Sequence, residues 1–209
     1  MKGTVFKNAS NQFQDVDYLI ITPAFLNSKA EKLADFHRKT ENFNVKVINL
    51  ENIYQEFSSG KQDIAAIRNF IRYVYQNASS DDKKLKYVNL FGDASFDFKN
   101  RVPNKTNIVP IYHSLSSFSL LNSFISDDFF VLLDDNEGDM NSNTSFGLDV
   151  AVGRMIIDDV AQAEEMVNKV IEYEDAKSFG RWRNNFVLIS DDVDKPGEQA
   201  LEKGIDALG

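Results

Sequence analysis

The side chains in this chain that could do chemistry are mostly carboxylates. Asp93 follows one apolar run, and Asp191, Asp192 and Asp194 follow another. In an open α/β sheet, ligands bind outside the carboxyl ends of the parallel strands, so both groups stand where a ligating or proton-handling side chain belongs. Aspartates at strand ends also close turns and cap helices, and that structural use competes with the functional one at each position. A third acidic group, Asp134-Asp135-Asn136-Glu137-Gly138-Asp139, offers the several oxygens that Ca²⁺ takes. Its spacing is not that of an EF-hand, because no Glu closes the loop at the twelfth position. Taken alone it reads as a solvated turn. Convergence of Asp134 with Asp93 and with Asp149, which opens the next apolar run, would turn it into a cation site.

Other chemistries find little support. His37 falls on the inner face of an expected helix, and His113 follows Pro110-Ile111-Tyr112; both read as packed histidines. The chain has no cysteine, so these residues hold no thiol nucleophile, no disulfide and no Cys-based zinc site. No Gly-x-Ser-x-Gly elbow supplies an activated serine, and no glycine motif cradles a phosphate. The Ser, Phe and Leu run from Ser114 to Ser123 has no mechanism attached to it.

The elements that must position these residues follow from hydrophobic patterning. A length of 209 residues suits one domain, and 43% hydrophobic residues with 17 Phe and 7 Tyr can fill one sizeable core. The net charge of −9 disfavours nucleic-acid backbones and anionic membrane surfaces. No apolar stretch approaches the roughly 18 residues of a membrane helix, and the first residues lack an apolar signal core. The chain is expected to be an internal piece of something longer, with its last helix cut short.

Residues 1–16 read as a polar lead-in, followed by a buried strand over 17–22 and a helix over 24–41 with Leu26, Ala30, Leu33 and His37 on one face. A strand over 45–48 comes next. Gly60 breaks the chain, and Asp63 caps a helix carrying Ile64, Ile67, Ile71 and Val74. A strand over 85–91 ends at Gly92-Asp93. Residues 94–127 read as an irregular excursion. Two further strands are expected over 129–133 and 148–152, paired as a hairpin. A helix from Asp158 or Asp159 buries Val160, Ala163, Val167, Val170 and Ile171, and a last buried strand spans 186–190. The β-α-β-α-β order predicts an α/β fold with a mostly parallel sheet and helices on both faces. On these grounds alone a non-catalytic α/β binding or scaffolding domain and a flavodoxin-like ligand-binding domain stay open, the latter weakened by the missing phosphate loop.

Several stretches resemble a known family. They are Ile53-Tyr54-Gln55-Glu56-Phe57-Ser58-Ser59-Gly60-Lys61-Gln62-Asp63 with Ala66-Ile67-Arg68-Asn69-Phe70-Ile71, and Leu90-Phe91-Gly92-Asp93-Ala94-Ser95-Phe96-Asp97. Ser126-Asp127-Asp128-Phe129-Phe130, Leu148-Asp149-Val150-Ala151-Val152-Gly153-Arg154 and Trp182-Arg183-Asn184 continue the series in family order. The chain resembles the gingipain-like cysteine peptidases, specifically those of the type IX (Por) secretion system of Bacteroidetes.

The resemblance implies a caspase-like three-layer fold, with residues 17–209 as the first subdomain of the catalytic domain. It places the catalytic His and Cys in a second subdomain downstream. It matches Asp192 to the acid that orients the His, where gingipains carry the longer Glu. It matches Asp93 and Asp149 to structural calcium ligands, with Asp134 or Glu137 completing the set. It implies a sortase that removes the C-terminal secretion signal of cargo proteins. That enzyme is exported, sits at the outer surface of the outer membrane, and works with other attachment-complex components and anionic lipopolysaccharide. Without the downstream Cys and His, these residues are expected to be inactive on their own.

Overall fold

The run Tyr18-Leu19-Ile20-Ile21-Thr22 places apolar side chains on both faces of a strand, which is stable only between two covering layers. The structure, a computed structural model, describes residues 6–99, 101–103, 107–116, 118–120, 122–138, 140, 147–189, 195 and 199–207. Its strands are β1 (Tyr18–Thr22), β2 (Val45–Asn49), β3 (Tyr87–Phe91), β4 (Tyr112–His113), β5 (Ile125–Ser126) and β6 (Ala151–Met155). Four of them form one parallel sheet in the order β2-β1-β3-β6, with β1 and β3 central. Beyond residue 26 the helices are α1 (Asn27–Thr40), α2 (Leu50–Phe57), α3 (Ile64–Gln76), α4 (Val160–Glu174) and α5 (Gln199–Asp206).

Alternation along the strands sorts the core into two layers. Leu19, Ile21, Val88 and Leu90 point to one face, where Ile53 of α2 and Ile67, Phe70, Ile71 and Val74 of α3 cover them. Ile20 and Phe91 point to the other, where Leu33 of α1 and Ala163 and Val167 of α4 cover them. Each of these larger side chains, fully buried, contributes on the order of 1.5–3 kcal/mol. The expected parallel α/β sheet with helices on both faces is therefore present. α3 starts where expected, with the Asp63 carboxylate accepting from the Ala65 N–H at 2.8 Å.

Five local expectations need correction or completion. Residues 129–133 form no strand: a 3₁₀ turn (Asp128–Phe130) leads into irregular chain in which all five side chains are buried. An unbroken apolar run does not distinguish a strand from a buried turn. With that strand gone, the expected hairpin is absent; β6 starts at Ala151 and pairs parallel with β3. Residues 50–57 form a helix that was not anticipated, although Leu50, Ile53 and Phe57 have helical spacing. The first described residues do more than lead in: Phe6 is fully buried, stacks on Phe13 at 5.6 Å and touches Phe70 of α3. The excursion over 94–127 contains a short antiparallel ribbon, β4 with β5.

Contacts divide the chain into one compact unit through Ile171 and a second from Glu172 to Gly209. Within the second unit, the Arg183 guanidinium stacks on the rings of Tyr173 and Phe179, each at 4.0 Å. Its Nη2 also donates to the Ser178 Oγ at 2.6 Å. Residues 186–189 of the expected last strand have no regular secondary structure. Ser190 and Asp191 to Asp194, including Asp192, lie outside the described residues.

Candidate functional site at the carboxyl edge of the sheet

The carboxyl ends of β3 and β6 are organised around one cation. Arg154, near the end of β6, has a side chain only 9% exposed. Its Nη1 donates to Gly92 O at 2.8 Å and Val109 O at 2.6 Å. Its Nη2 donates to Pro110 O at 3.2 Å and Asp127 Oδ1 at 2.7 Å, and its Nε donates to Asp127 Oδ2 at 2.9 Å. A guanidinium has five N–H donors, and this one uses all of them. The fork-on-carboxylate pairing with Asp127 is the strong, directional kind. It fastens four segments that are distant in sequence: β6, the end of β3, the loop at 109–110, and the residues after β5.

Asp93 sits in that frame as the residue where β3 gives way to loop. Its N–H donates to Ile157 O at 2.9 Å, and its carbonyl accepts from the N–H groups of Ile108 and Val109. Its carboxylate oxygen Oδ1 accepts from the Ala94 N–H at 2.7 Å, the turn-closing use of a strand-end aspartate. Gly92, at φ +156°, is required by close approach: a Cβ there would lie 2.5 Å from Ile108 Cγ2 and 2.9 Å from Val109 Cγ2. The next turn is held by Asp97, which is buried and accepts from the Val102 N–H at 2.6 Å.

Asp149 and Asp134 belong to the opposite end of the sheet. Ala151 is level with Tyr87, and Asp149 precedes it; Asp93 is level with Ile157. At about 3.3 Å per residue, Asp93 and Asp149 are roughly 20 Å apart along the sheet. The structure therefore does not bring Asp93, Asp134 and Asp149 together, and among the described residues no group of three His, Cys, Asp or Glu is placed to hold a metal. Asp149 Oδ2 accepts from the Leu133 N–H at 2.8 Å, and Glu137 Oε2 accepts from the Asp134 N–H at 3.0 Å.

The loop that carries these acids is answered by arginines of α3. Arg68 donates to Leu132 O at 2.7 Å, to Glu137 O at 3.1 Å and to Asp134 O at 3.4 Å. Arg72 pairs with Asp135. Carbonyls that a hard cation would use are thus engaged by a guanidinium. Burial, joined by the neighbouring charge of Arg72, lowers the pKa of Arg68.

The histidines take packing roles. His37 Nδ1 lies 3.0 Å from Glu41 Oε1 and its ring meets Tyr18 edge-on at 5.1 Å. His113 lies beside Phe98, with ring centroids 6.5 Å apart. A cavity of about 440 Å³ at the amino end of the sheet is lined by Tyr18, His37, Phe43, Tyr87 and Asn89, and there Asn89 Nδ2 donates to the Tyr18 hydroxyl at 3.1 Å.

The motif residues Arg68, Asp127 and Arg154 were visible in sequence, but their roles were not. The available signal was an arginine inside an otherwise apolar strand or helix face, which must find acceptors when buried.

Residues 11–208 match the family model for peptidase family C25. The chain belongs to peptidase family C25. This C25 chain is similar in structure to dimeric latent PorU from Porphyromonas gingivalis, with a TM-score of 0.67 and 28% sequence identity. The similarity covers 82% of this chain and 17% of the PorU chain, so the residues here span about a sixth of PorU's length. A second solved structure, described as a protease, matches with a TM-score of 0.52 and 15% identity over 77% of this chain and 28% of its own, and shares the fold alone. No curated protein matches the chain. The C25 chain has the caspase-like gingipain fold, with the parallel sheet of β2, β1, β3 and β6 at its centre.

Proposed function

We propose that this chain is the N-terminal subdomain of the catalytic domain of a gingipain-like cysteine peptidase. In this reading the whole enzyme is a sortase. It removes the C-terminal secretion signal of type IX cargo at the outer face of the outer membrane and supports attachment of the cargo to anionic lipopolysaccharide. Its partners are the signal-bearing substrates and the other components of the attachment complex. The observation that carries the proposal is the similarity to PorU over 82% of the chain at 28% identity, within a family match over residues 11–208.

The chemistry is that of a Cys-His pair, in which an imidazole generates the thiolate and an acid holds the imidazole in one orientation. The gingipain resemblance places the Cys and His in a second subdomain downstream, and the absence of cysteine from these 209 residues is consistent with that. Asp192 is assigned the orienting role. What these residues supply is a rigid sheet whose carboxyl edge is locked by Arg154.

The source gene tests this when read past codon 209. The proposal predicts a continuing frame with a Gly-His segment and then a Cys, and no thiol-dependent peptide hydrolysis by the 209 residues alone. A frame without that pair overturns the reading and leaves a binding or scaffolding domain; thiol-dependent turnover by the isolated chain overturns the assignment of the nucleophile to residues outside it.

A further inference from the structure

The cavity at the amino end of the sheet is lined by aromatic rings from separate parts of the chain. β1 and β3 both begin with a tyrosine, and their parallel register sets Tyr18 level with Tyr87. The two rings meet edge-on, with centroids 6.0 Å apart and 69° between their planes. Phe43, from the connection between α1 and β2, lies 5.5 Å from the Tyr87 ring at 30°. Rings in more than one orientation thus line a single space of about 440 Å³. That is within the range of small-molecule sites, roughly 300–1,000 Å³.

The same lining holds an acid and no base. Among the described lining residues Glu41 is the one carboxylate, and none is Lys or Arg. Its side chain is 40% exposed, so solvent reaches it, and His37 Nδ1 lies 3.0 Å from its Oε1. Asn89 stands two residues beyond Tyr87, on the same face of β3, and is only 8% exposed. Its Nδ2 donates to the Tyr18 hydroxyl at 3.1 Å, while its Oδ1 is buried with no partner among the described residues. An unpaired amide oxygen costs stability where packing alone would favour an apolar side chain. It also adds negative potential to a space that already faces a carboxylate.

The faces of aromatic rings attract cations, and the attraction strengthens as water is excluded. A primary ammonium would bring three N–H donors, each needing an acceptor. The polar side chains here are already engaged: Glu41 with His37, and Asn89 with Tyr18. A quaternary ammonium brings charge and apolar surface but no donor. We propose that this cavity binds a small, soluble quaternary ammonium compound. The rings of Tyr18, Phe43 and Tyr87 contact its methyl groups, and Glu41 balances its charge.

The test is calorimetric titration of the full-length protein at about pH 8, with choline as the probe. The control is the neutral isostere of choline, in which carbon replaces the nitrogen. Choline is expected to bind at least about tenfold more tightly than the isostere. Glu41→Gln should weaken choline binding several-fold and leave the isostere unchanged. Tyr87→Leu should remove most of the preference for the cation, whereas Tyr87→Phe, which keeps a ring, should retain it. Unchanged melting temperatures would show that the variants fold. Equal affinity for choline and its isostere, or Tyr87→Leu binding choline as the unaltered protein does, overturns the proposal. So does a full-length protein that binds no choline, which would mean that the rest of the enzyme fills the cavity.

Discussion

The Asp127 carboxylate holds the Arg154 guanidinium in two parallel hydrogen bonds, 2.7 Å at Nη2 and 2.9 Å at Nε. The two residues are 27 apart in sequence and lie in different resemblance motifs. The remaining Arg154 donors take the carbonyls of Gly92, Val109 and Pro110. The carboxyl edge of the sheet is thus fixed by one part-buried ion pair, and the strand end that carries Asp93 is fixed with it.

Breaking this pair should be costly. Arg154→Met leaves the Asp127 charge and three carbonyls without their partner; with the Asp127 side chain 20% exposed, the expected loss is at or below the about 3–5 kcal/mol of a fully buried pair. Arg154→Lys keeps the charge but cannot form the fork, so it should recover only part of the loss. Urea unfolding of both variants measures this; a loss for Arg154→Met below about 1 kcal/mol would place the pair among exposed ion pairs.

Gly92 should not accept a side chain. A Cβ would sit 2.5 Å from Ile108 Cγ2, so Gly92→Ala is expected to lose about 1–3 kcal/mol through overpacking. Adding Ile108→Ala to that variant should recover part of the loss, because the nearest obstructing atom is then gone. Full stability of Gly92→Ala would contradict the close approach.

Asp93 and Asp149 should behave as strangers. They are placed at opposite ends of the sheet, where Asp149 holds the Leu133 N–H and Asp93 holds the Ala94 N–H. The stability losses of Asp93→Ala and Asp149→Ala should add within about 0.5 kcal/mol, with or without millimolar Ca²⁺. If the two shared one ion, a Ca²⁺-dependent rise in melting temperature would vanish in either single variant and the double variant would lose no more.

The link between α1 and α4 gives a pH signature. Glu164 lies 2.6 Å from Lys29 and also pairs with Lys32. The hydrogen bonds and charges of these lysines lower the Glu164 pKa from 4.5 to about 2. A carboxylate whose pKa is depressed by folding contributes stability above its unfolded value and loses it as pH falls through the folded one. Unfolding curves between pH 5 and pH 2 should therefore fall less steeply for Glu164→Gln than for the unaltered chain. Parallel curves would remove the pair from the acid response.

How far the fold could be read from sequence depended on what each residue faces. Residues 18–22 and 87–91 announced themselves as short, mostly apolar runs, and Asp63 marked the start of α3 by a capping bond it makes within two residues of itself. Residues 129–133 are as apolar as a strand but form a buried turn beneath α3, where Arg68 supplies the donor for the Leu132 carbonyl. That partner is 64 residues away and leaves no local trace. The same distance problem hid the Arg154 and Asp127 pair, although both residues stood in quoted motifs. Strand-end position located Asp93 correctly but not its separation from Asp149, because that depends on β6 running parallel to β3.

As proposed, these residues are part of a cysteine peptidase. The most direct measurement uses the full-length protein on a cargo polypeptide that bears a C-terminal type IX secretion signal, with cleavage products read by mass spectrometry. Cleavage is expected upstream of the signal, lost on thiol alkylation and strongly reduced in Asp192→Ala. Cleavage that persists after alkylation, or a folded full-length protein that leaves the cargo intact, would contradict it.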